Sequence, residues 1–125
     1  MTESSPDPLA LLARSAELKM FVMLRRTANP ALLLEKLGAH LAWMVGAEKA
    51  GHIFLSGPIA PHDGATALNG LTIIRAENLA QANGIAQQDP FVRQGIVTFE
   101  MCEWAVKEGA ISLTVTISDS TVLFR

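Results

Sequence analysis

The sequence predicts an α+β domain of ferredoxin-like topology, in which strands and helices follow one another in the order β-α-β-β-α-β. Short apolar segments have the length of buried strands, and two longer segments carry apolar residues at helical spacing. Proline or glycine stands at the ends of most of these segments, where it interrupts regular structure. Near the C-terminus, a segment in which apolar and polar residues alternate adds a strand or a hairpin to this order.

The composition is that of one folded domain. The chain has 125 residues, of which 50% are hydrophobic and 18% charged, whereas disordered chains are less apolar and more charged. The net charge of −2 leaves no basic excess for phosphate contacts, which excludes nucleic acid as the main partner. Cys102 is the single cysteine, so no internal disulfide framework can form. Because no apolar run reaches the roughly 18 residues of a membrane helix, we expect a cytoplasmic protein without membrane contact.

The N-terminal residues 1–18 are predicted to form a tail and a short helix, and residues 19–125 to form a single domain. Two prolines interrupt residues 1–8, and residues 9–18 combine leucines with alanines. The domain begins with the apolar run 20–24, whose length fits a strand buried on both faces.

The first helix of the domain is predicted over residues 30–50. Asn29 is a suitable N-cap, Pro30 has the fixed φ of a first helical residue, and Gly51 stands where a left-handed C-terminal glycine is common. His40 borders the apolar stripe of this helix. That stripe consists of Leu33, Leu37, Leu41 and Met44.

The second and third strands are separated by a long loop. The second strand is predicted over residues 53–56, where Gly57 and Pro58 stop it. Residues 58–69 are predicted to form the loop, and residues 70–75 the third strand.

The second helix is predicted over residues 77–88. Pro90 disfavours helical torsion angles at Asp89, so the helix should end there. Gly95 then precedes a fourth strand over residues 96–101.

The predicted sheet is apolar on both faces, although the two helices can cover only one. In the first strand Phe21 and Met23 point opposite to Val22 and Leu24. A large uncovered apolar face marks an interaction surface. We therefore expect a homodimer whose sheets pack face to face.

The clearest two-residue period in the chain lies in residues 111–118, where apolar side chains alternate with serine and threonine. This pattern predicts a half-buried strand, and residues 121–124 are a candidate return strand of a hairpin. Two locations stay open for this element, its own subunit or the partner of the dimer.

Few residues of the sequence are candidates for catalysis or for binding a metal or a cofactor. His40, His52 and His62 lack the spacing of a shared metal site, and there is neither a Gly-rich phosphate loop nor a nucleophile elbow. We expect no metal and no cofactor, and haem or metal binding through His40 is disfavoured because a second ligand at suitable spacing is missing.

His40 and Asp89 each have two interpretations. His40 is either a structural histidine satisfied by a backbone carbonyl or a catalytic residue at the edge of the apolar stripe. Asp89 either only stops the second helix or orients an imidazole and fixes its tautomer. Arg93 is an alternative partner for the charge of Asp89.

Several short motifs occur in an order that resembles one family. They are AHLAW at 39–43, SGP at 56–58, NGLT at 69–72, and DPFV at 89–92 followed by Gly95. Through them, residues 20–101 resemble the YCII-related (YciI-like) family of the dimeric α+β barrel superfamily. The resemblance implies a homodimer with a His–Asp site in a cleft of each subunit.

The resemblance also implies roles for individual residues. His40 would be the general base or acid, and Asp89 would be its partner. Arg93, close to Asp89, is a further candidate for substrate binding. The substrate-binding residues that the resemblance implies are Ser56, Gly57, Pro58 and, in the following loop, Asp63.

Two functions are consistent with these residues. The resemblance implies a small enzyme of lyase or isomerase type, like the family's dehydrochlorinases or the more distant muconolactone isomerases, that moves a proton on a small cyclic or aromatic substrate. The alternative is a non-catalytic dimeric module that binds a small ligand in the same cleft. Catalysis requires His40 and Asp89 within about 3.5 Å of each other in a pocket that solvent can reach.

Overall fold

The computed structural model describes residues 7–14, 18–60, 69–115 and 122–124. Residues 19–105 form one compact unit, and the described residues before and after them belong to a second. Asp63, with residues 61–68 of the predicted loop, and residues 116–118 of the predicted C-terminal strand lie outside the described residues. Within the described residues, no helix combines the length and the apolar character needed to cross a membrane.

The helices and strands follow the predicted order, with one additional short helix. A single 3-10 turn, Pro30–Leu32, precedes the longest helix. The elements are α1 (Pro8–Arg14), β1 (Leu18–Thr27), α2 (Leu33–Lys49), β2 (Ile53–Ile59), β3 (Asn69–Ile74), α3 (Leu79–Ala86), α4 (Pro90–Arg93), β4 (Val97–Val106), β5 (Leu113–Val115) and β6 (Val122–Phe124).

Strands β1 to β4 form one sheet in the order β2-β3-β1-β4. Both β1 and β2 pair antiparallel with β3, so that Phe21 and Ile53 each lie opposite Ile74. This topology confirms the predicted α+β fold with ferredoxin-like order.

Helices α2 and α3 pack against one face of the sheet. On this face Phe21 and Met23 contact Ala47 of α2 and the small residues of α3, because alanine lets a helix approach the sheet closely. The buried core consists of Phe21, Met23, Ala47, Ile53, Ile74, Ala82, Ile85 and Ala86. Both helices therefore lie on one face of the sheet, as the sequence predicts.

Strand β1 extends beyond its apolar run. The sequence predicts residues 20–24, but backbone pairing with β3 continues as far as Arg25, which lies opposite Gly70. Because side chains alternate along a strand, Arg25 shares the helix-covered face with Phe21 and Met23. The charged residue is therefore brought to the same side of the sheet as α2.

Helix α2 begins later than the sequence predicts, and Asn29 does not cap it. The backbone N–H of Asn29 donates to the carbonyl of Ile96, and its side chain makes no capping hydrogen bond. Pro30 therefore starts a 3-10 turn, and the α-helix follows from Leu33. Gly51 has the predicted positive φ, +82°, just after the C-terminal end.

Strand β2 does not stop at Gly57-Pro58, contrary to the sequence prediction. It continues to Ile59, with Pro58 opposite Gly70 and Ile59 opposite Asn69 of β3. β2 is the edge strand of the sheet, where proline is tolerated because its missing N–H faces no further strand.

The second predicted helix is found as α3, and a further short helix, α4, follows it. Asn78 caps α3 by accepting a hydrogen bond from the Gln81 N–H at 2.8 Å, and the helix ends at Ala86. Pro90 stands at the first position of α4, for which Asp89 is the N-cap. The Asp-Pro pair therefore not only ends one helix but also begins another.

The C-terminal residues form a hairpin in the second unit. Leu113–Val115 and Val122–Phe124 pair antiparallel, with Thr114 opposite Leu123. The hairpin was one of the two predicted forms of this segment, and its connection lies outside the described residues.

Candidate active site

The candidate site is centred on a buried pair of titratable side chains, His40 on α2 and Asp89 at the start of α4. His40 is 6% exposed and Asp89 is fully buried. Their side chains lie in hydrogen-bond contact, with 2.8 Å between Nδ1 of His40 and Oδ1 of Asp89. The two residues that the sequence singled out are thus brought together across 49 positions of the chain.

The carboxylate of Asp89 is held by the helix that it caps. Its Oδ1 also accepts a hydrogen bond of 2.9 Å from the backbone N–H of Phe91. Because Oδ1 already serves as an acceptor, the consistent tautomer of His40 has its proton on Nδ1 and donates it to Asp89. Nε2 is then the nitrogen that carries the lone pair and can exchange a proton with a ligand.

The face of the imidazole ring is also in contact with an aromatic side chain. The ring of Phe91 is stacked on it, with ring centres 4.2 Å apart and planes 4° from parallel. Trp43 lies on the same helix with its ring centre 6.2 Å away. Position and tautomer of His40 are therefore constrained by neighbours that are themselves part of the core.

His40 lines a partly open cavity of about 380 Å³, which is within the size range of small-molecule sites. The apolar stripe of α2 lines this cavity, where Leu37 and Leu41 are 38% and 50% exposed. Its other two residues, Leu33 and Met44, also pack against the buried core. The lining residues are Arg25, Leu33, Leu37, His40, Leu41, Met44, Ser56, Gly57, Pro58, Asn69, Gly70, Phe91 and Val97.

Ser56, Gly57 and Pro58, three of the predicted substrate-binding residues, all lie in the wall of this cavity. The Ser56 hydroxyl is positioned by a hydrogen bond of 2.8 Å to the hydroxyl of Thr72 on β3. Since the wall is otherwise mostly apolar, Ser56 supplies one of its few polar atoms. Asn69 supplies another, and its side chain accepts a hydrogen bond from the Thr27 N–H.

Arg93 and Asp63 do not join this set. Arg93 is exposed in the last turn of α4 and is not among the residues that line the cavity. Its backbone N–H donates to the carbonyl of Asp89, but the carboxylate of Asp89 contacts His40 instead. Asp63 lies outside the described residues.

Arg25 is a cavity residue that the sequence did not reveal. Its Nη2 is 3.4 Å from the hydroxyl of Ser56, and its Nε is buried without a hydrogen-bond partner among the described residues. Burial lowers the pKa of Arg25, and the nearby charge of Asp89 acts in the opposite direction. The guanidinium still remains charged at neutral pH. The missed signal was a basic residue directly after the first apolar run.

Gly70 makes room for the Arg25 side chain. A Cβ built at Gly70 would lie 2.7 Å from Cζ of Arg25, closer than real contacts allow. The glycine of the NGLT motif therefore permits the guanidinium to lie across β3 at the mouth of the cavity.

These residues can support acid–base chemistry on a small ring. The cavity offers one imidazole nitrogen, one permanent cation and a hydroxyl within largely apolar walls. In the described part of the chain, no three His, Cys, Asp or Glu side chains are placed to hold a metal ion together.

Comparisons with known proteins agree with this fold. Among solved structures, the chain is similar to 5-chloro-2-hydroxyhydroquinone dehydrochlorinase (TftG) from Burkholderia phenoliruptrix AC1100, in complex with 2,5-dihydroxybenzoquinone. The TM-score is 0.56 at 20% identity, and the match covers 72% of this chain and 95% of that one, which shows a shared fold. No curated protein matches the sequence significantly. The family model of the YCII-related domain matches residues 20–105, and the chain therefore belongs to the YCII-related family.

Proposed function

We propose that this protein is a small enzyme of lyase or isomerase type that transfers a proton on a small cyclic or aromatic substrate. The observation that carries the proposal is the contact of 2.8 Å between His40 and Asp89 in the wall of an open cavity. Both partners are buried, so their relative geometry is fixed before a ligand arrives.

His40 acts as the general base through Nε2. It takes a proton from the substrate ring, and Asp89 stabilises the imidazolium that forms by accepting the hydrogen bond from Nδ1. In a dehydrochlorination, the electron pair of a broken O–H bond forms a ring C=O and the carbon that bears chlorine takes up a proton. Chloride then departs with its own bonding pair as a second hydroxyl loses its proton. In an isomerisation, the same imidazolium returns the proton to a second position on the ring.

The family and the structural neighbour support this type of chemistry. The neighbour is named a dehydrochlorinase, and its complex contains 2,5-dihydroxybenzoquinone. A chlorinated, hydroxylated six-membered ring is therefore the first substrate class to test on this chain. A ring of that size fits a cavity of about 380 Å³.

The alternative is a binding module that uses the same cavity without chemistry. Such a module needs no proton-transfer group, and a histidine sealed among apolar side chains would favour it. His40 instead lines the cavity and is hydrogen-bonded to a buried carboxylate.

The proposal includes a homodimer in the cytoplasm. On the sheet face opposite α2 and α3, the side chains of Leu55, Ile59 and Trp104 are 56%, 41% and 43% exposed. Large apolar side chains grouped on one sheet are typical of an interface between subunits.

The direct test is turnover of 5-chloro-2-hydroxyhydroquinone, followed by chloride release and by the absorbance of the product. Chloride release that depends on His40 supports the proposal. Binding of 2,5-dihydroxybenzoquinone without turnover of any chlorinated hydroxyhydroquinone would favour the binding module. Turnover that persists unchanged in both His40→Ala and Asp89→Asn would exclude the His–Asp mechanism.

A further inference from the structure

Arg25 is the one permanently charged residue among the described residues that line the cavity. It lies on β1, on the sheet face that the helices cover, and has no ion-pair partner in the described part of the chain. The mechanism based on His40 and Asp89 does not use it. The charge of Asp89 acts on Arg25 without an ion-pair contact, so the donors of the guanidinium still need an acceptor.

The hydrogen bonds of Arg25 are incomplete. A guanidinium has five N–H donors, but the described residues offer it a single long contact of 3.4 Å to Ser56. Nε is buried and lacks a partner among those residues. Donors that are buried without acceptors destabilise a folded protein, so such a group is retained where a ligand supplies the acceptor.

We propose that Arg25 and Ser56 form an anion-binding subsite, which restricts the substrates of this cavity to rings that carry an acidic oxygen, either a deprotonated hydroxyl or a carboxylate. The inference rests on the proposed function for the statement that the cavity receives the substrate. It extends that function by naming the charge and the functional group that are recognised. Arg25 donates to the oxyanion, and the hydroxyl of Ser56 offers a second donor beside it.

The subsite gives Arg25 a part in the reaction as well as in binding. When His40 removes a proton from a hydroxyl of the substrate, negative charge develops on that oxygen and spreads to the ring oxygens conjugated with it. A fixed cation at one of those oxygens stabilises that charge more strongly in the transition state than in the ground state. The mostly apolar walls of the cavity strengthen this interaction because they offer few competing polar groups.

Gly70 is the positioning residue of the subsite. It lies opposite Arg25 in the β1–β3 pairing, and a Cβ at this position would force the guanidinium to move. A Gly70→Ala variant therefore displaces the charge without removing it. Gly46→Ala is its control, because a methyl group there meets no atom within 4 Å.

The test compares two probes of equal size and different charge, benzoate and benzamide, by isothermal titration calorimetry. The wild-type protein should bind benzoate at least about tenfold more tightly, as expected for a charge-assisted hydrogen bond. Arg25→Leu should abolish the preference, and Arg25→Lys should keep part of it because the charge remains while the planar fork is lost. Gly70→Ala should weaken benzoate binding, and Gly46→Ala should not.

Three results would overturn the inference: equal affinities of the wild-type protein for the two probes, binding of neither, or an unchanged preference in Arg25→Leu. Circular dichroism establishes that each variant is folded, and if Gly70→Ala is not, the two Arg25 variants still decide the question. His40→Ala should keep the preference for benzoate. A preference that depends on Arg25, in a protein without His40-dependent turnover, would therefore contradict the proposed function and leave the anion subsite standing.

Discussion

The aromatic ring of Phe91 lies parallel to the imidazole of His40, 4.2 Å from it, and the backbone N–H of the same phenylalanine binds the carboxylate that His40 contacts. One residue of a four-residue helix therefore orients both members of the His40–Asp89 pair. The carboxylate is fixed by the backbone at the start of α4, and the ring plane is fixed by the side chain. Small displacements of α4 should consequently affect catalysis more than binding.

The first prediction concerns the His40–Asp89 pair. His40→Ala removes the base, and Asp89→Asn replaces the carboxylate by a neutral amide that no longer stabilises the imidazolium. Each should lower kcat by about 10²- to 10⁴-fold, the usual contribution of general acid–base catalysis. The measurement is kcat and KM with a chlorinated hydroxyhydroquinone. His52→Ala, outside the cavity, is the matched control and should keep wild-type turnover.

The second prediction separates the structural role of Asp89 from its chemical role. Asp89→Ala removes the N-cap of α4 and the acceptor for His40, and should lower the free energy of unfolding by about 1–3 kcal/mol. Asp89→Asn retains an oxygen for the Phe91 N–H and should be less destabilised while still inactive. Urea unfolding measures both variants. If Asp89→Asn were as unstable as Asp89→Ala, the capping bond would not explain the loss.

A control for this measurement is available in α3. Asn78 caps that helix through a hydrogen bond of 2.8 Å and is not part of the cavity lining. Asn78→Ala should lower the free energy of unfolding by about 1 kcal/mol and leave turnover unchanged. A drop in turnover with Asn78→Ala would mean that stability alone accounts for the effects at Asp89.

The third prediction concerns the stacked ring. Phe91→Leu keeps the site apolar but removes the flat surface beside the imidazole, so kcat should fall while KM changes little. Stability should decrease by about 1–2 kcal/mol from the lost stacking and volume. Phe54→Leu is the control, since its ring contacts the guanidinium of Arg75 and does not line the cavity. Equal kcat values for Phe91→Leu and the wild type would show that the ring does not position His40.

The fourth prediction concerns the dimer. Leu55→Lys places a charge on the apolar sheet face, and burying that charge between subunits would be costly. Light scattering should therefore show a wild-type mass of twice the chain and a variant mass near 13.4 kDa. Leu34→Lys changes a leucine that is 83% exposed on α2, and should leave the mass unchanged. A wild-type mass of one chain at micromolar concentration would refute the dimer.

The sequence by itself predicted the topology and, through its resemblance to the YCII-related family, the two central residues of the candidate site. The order of strands and helices follows from local hydrophobic spacing and from Pro and Gly at segment ends, because these act within one turn or one strand. The motif around His40 and the Asp-Pro pair also carry local signals. Asp89 is an example, since Pro90 after it predicts the end of the second helix, whereas its role as the N-cap of α4 was found only in the structure.

Only the tertiary structure decided which further residues line the candidate site and which side of each helix or strand faces the cavity. Arg25 enters the cavity because strand pairing places it opposite Gly70, a relation across 45 positions that no local pattern encodes. The apolar stripe of α2 lines the cavity, and two of its residues, Leu33 and Met44, also pack against the core, because the position of the helix on the sheet decides which of its side chains are covered. β2 passes through Pro58 because it is an edge strand. The register of a strand and the identity of its neighbours are set when the sheet assembles. The sequence of one strand therefore does not reveal them.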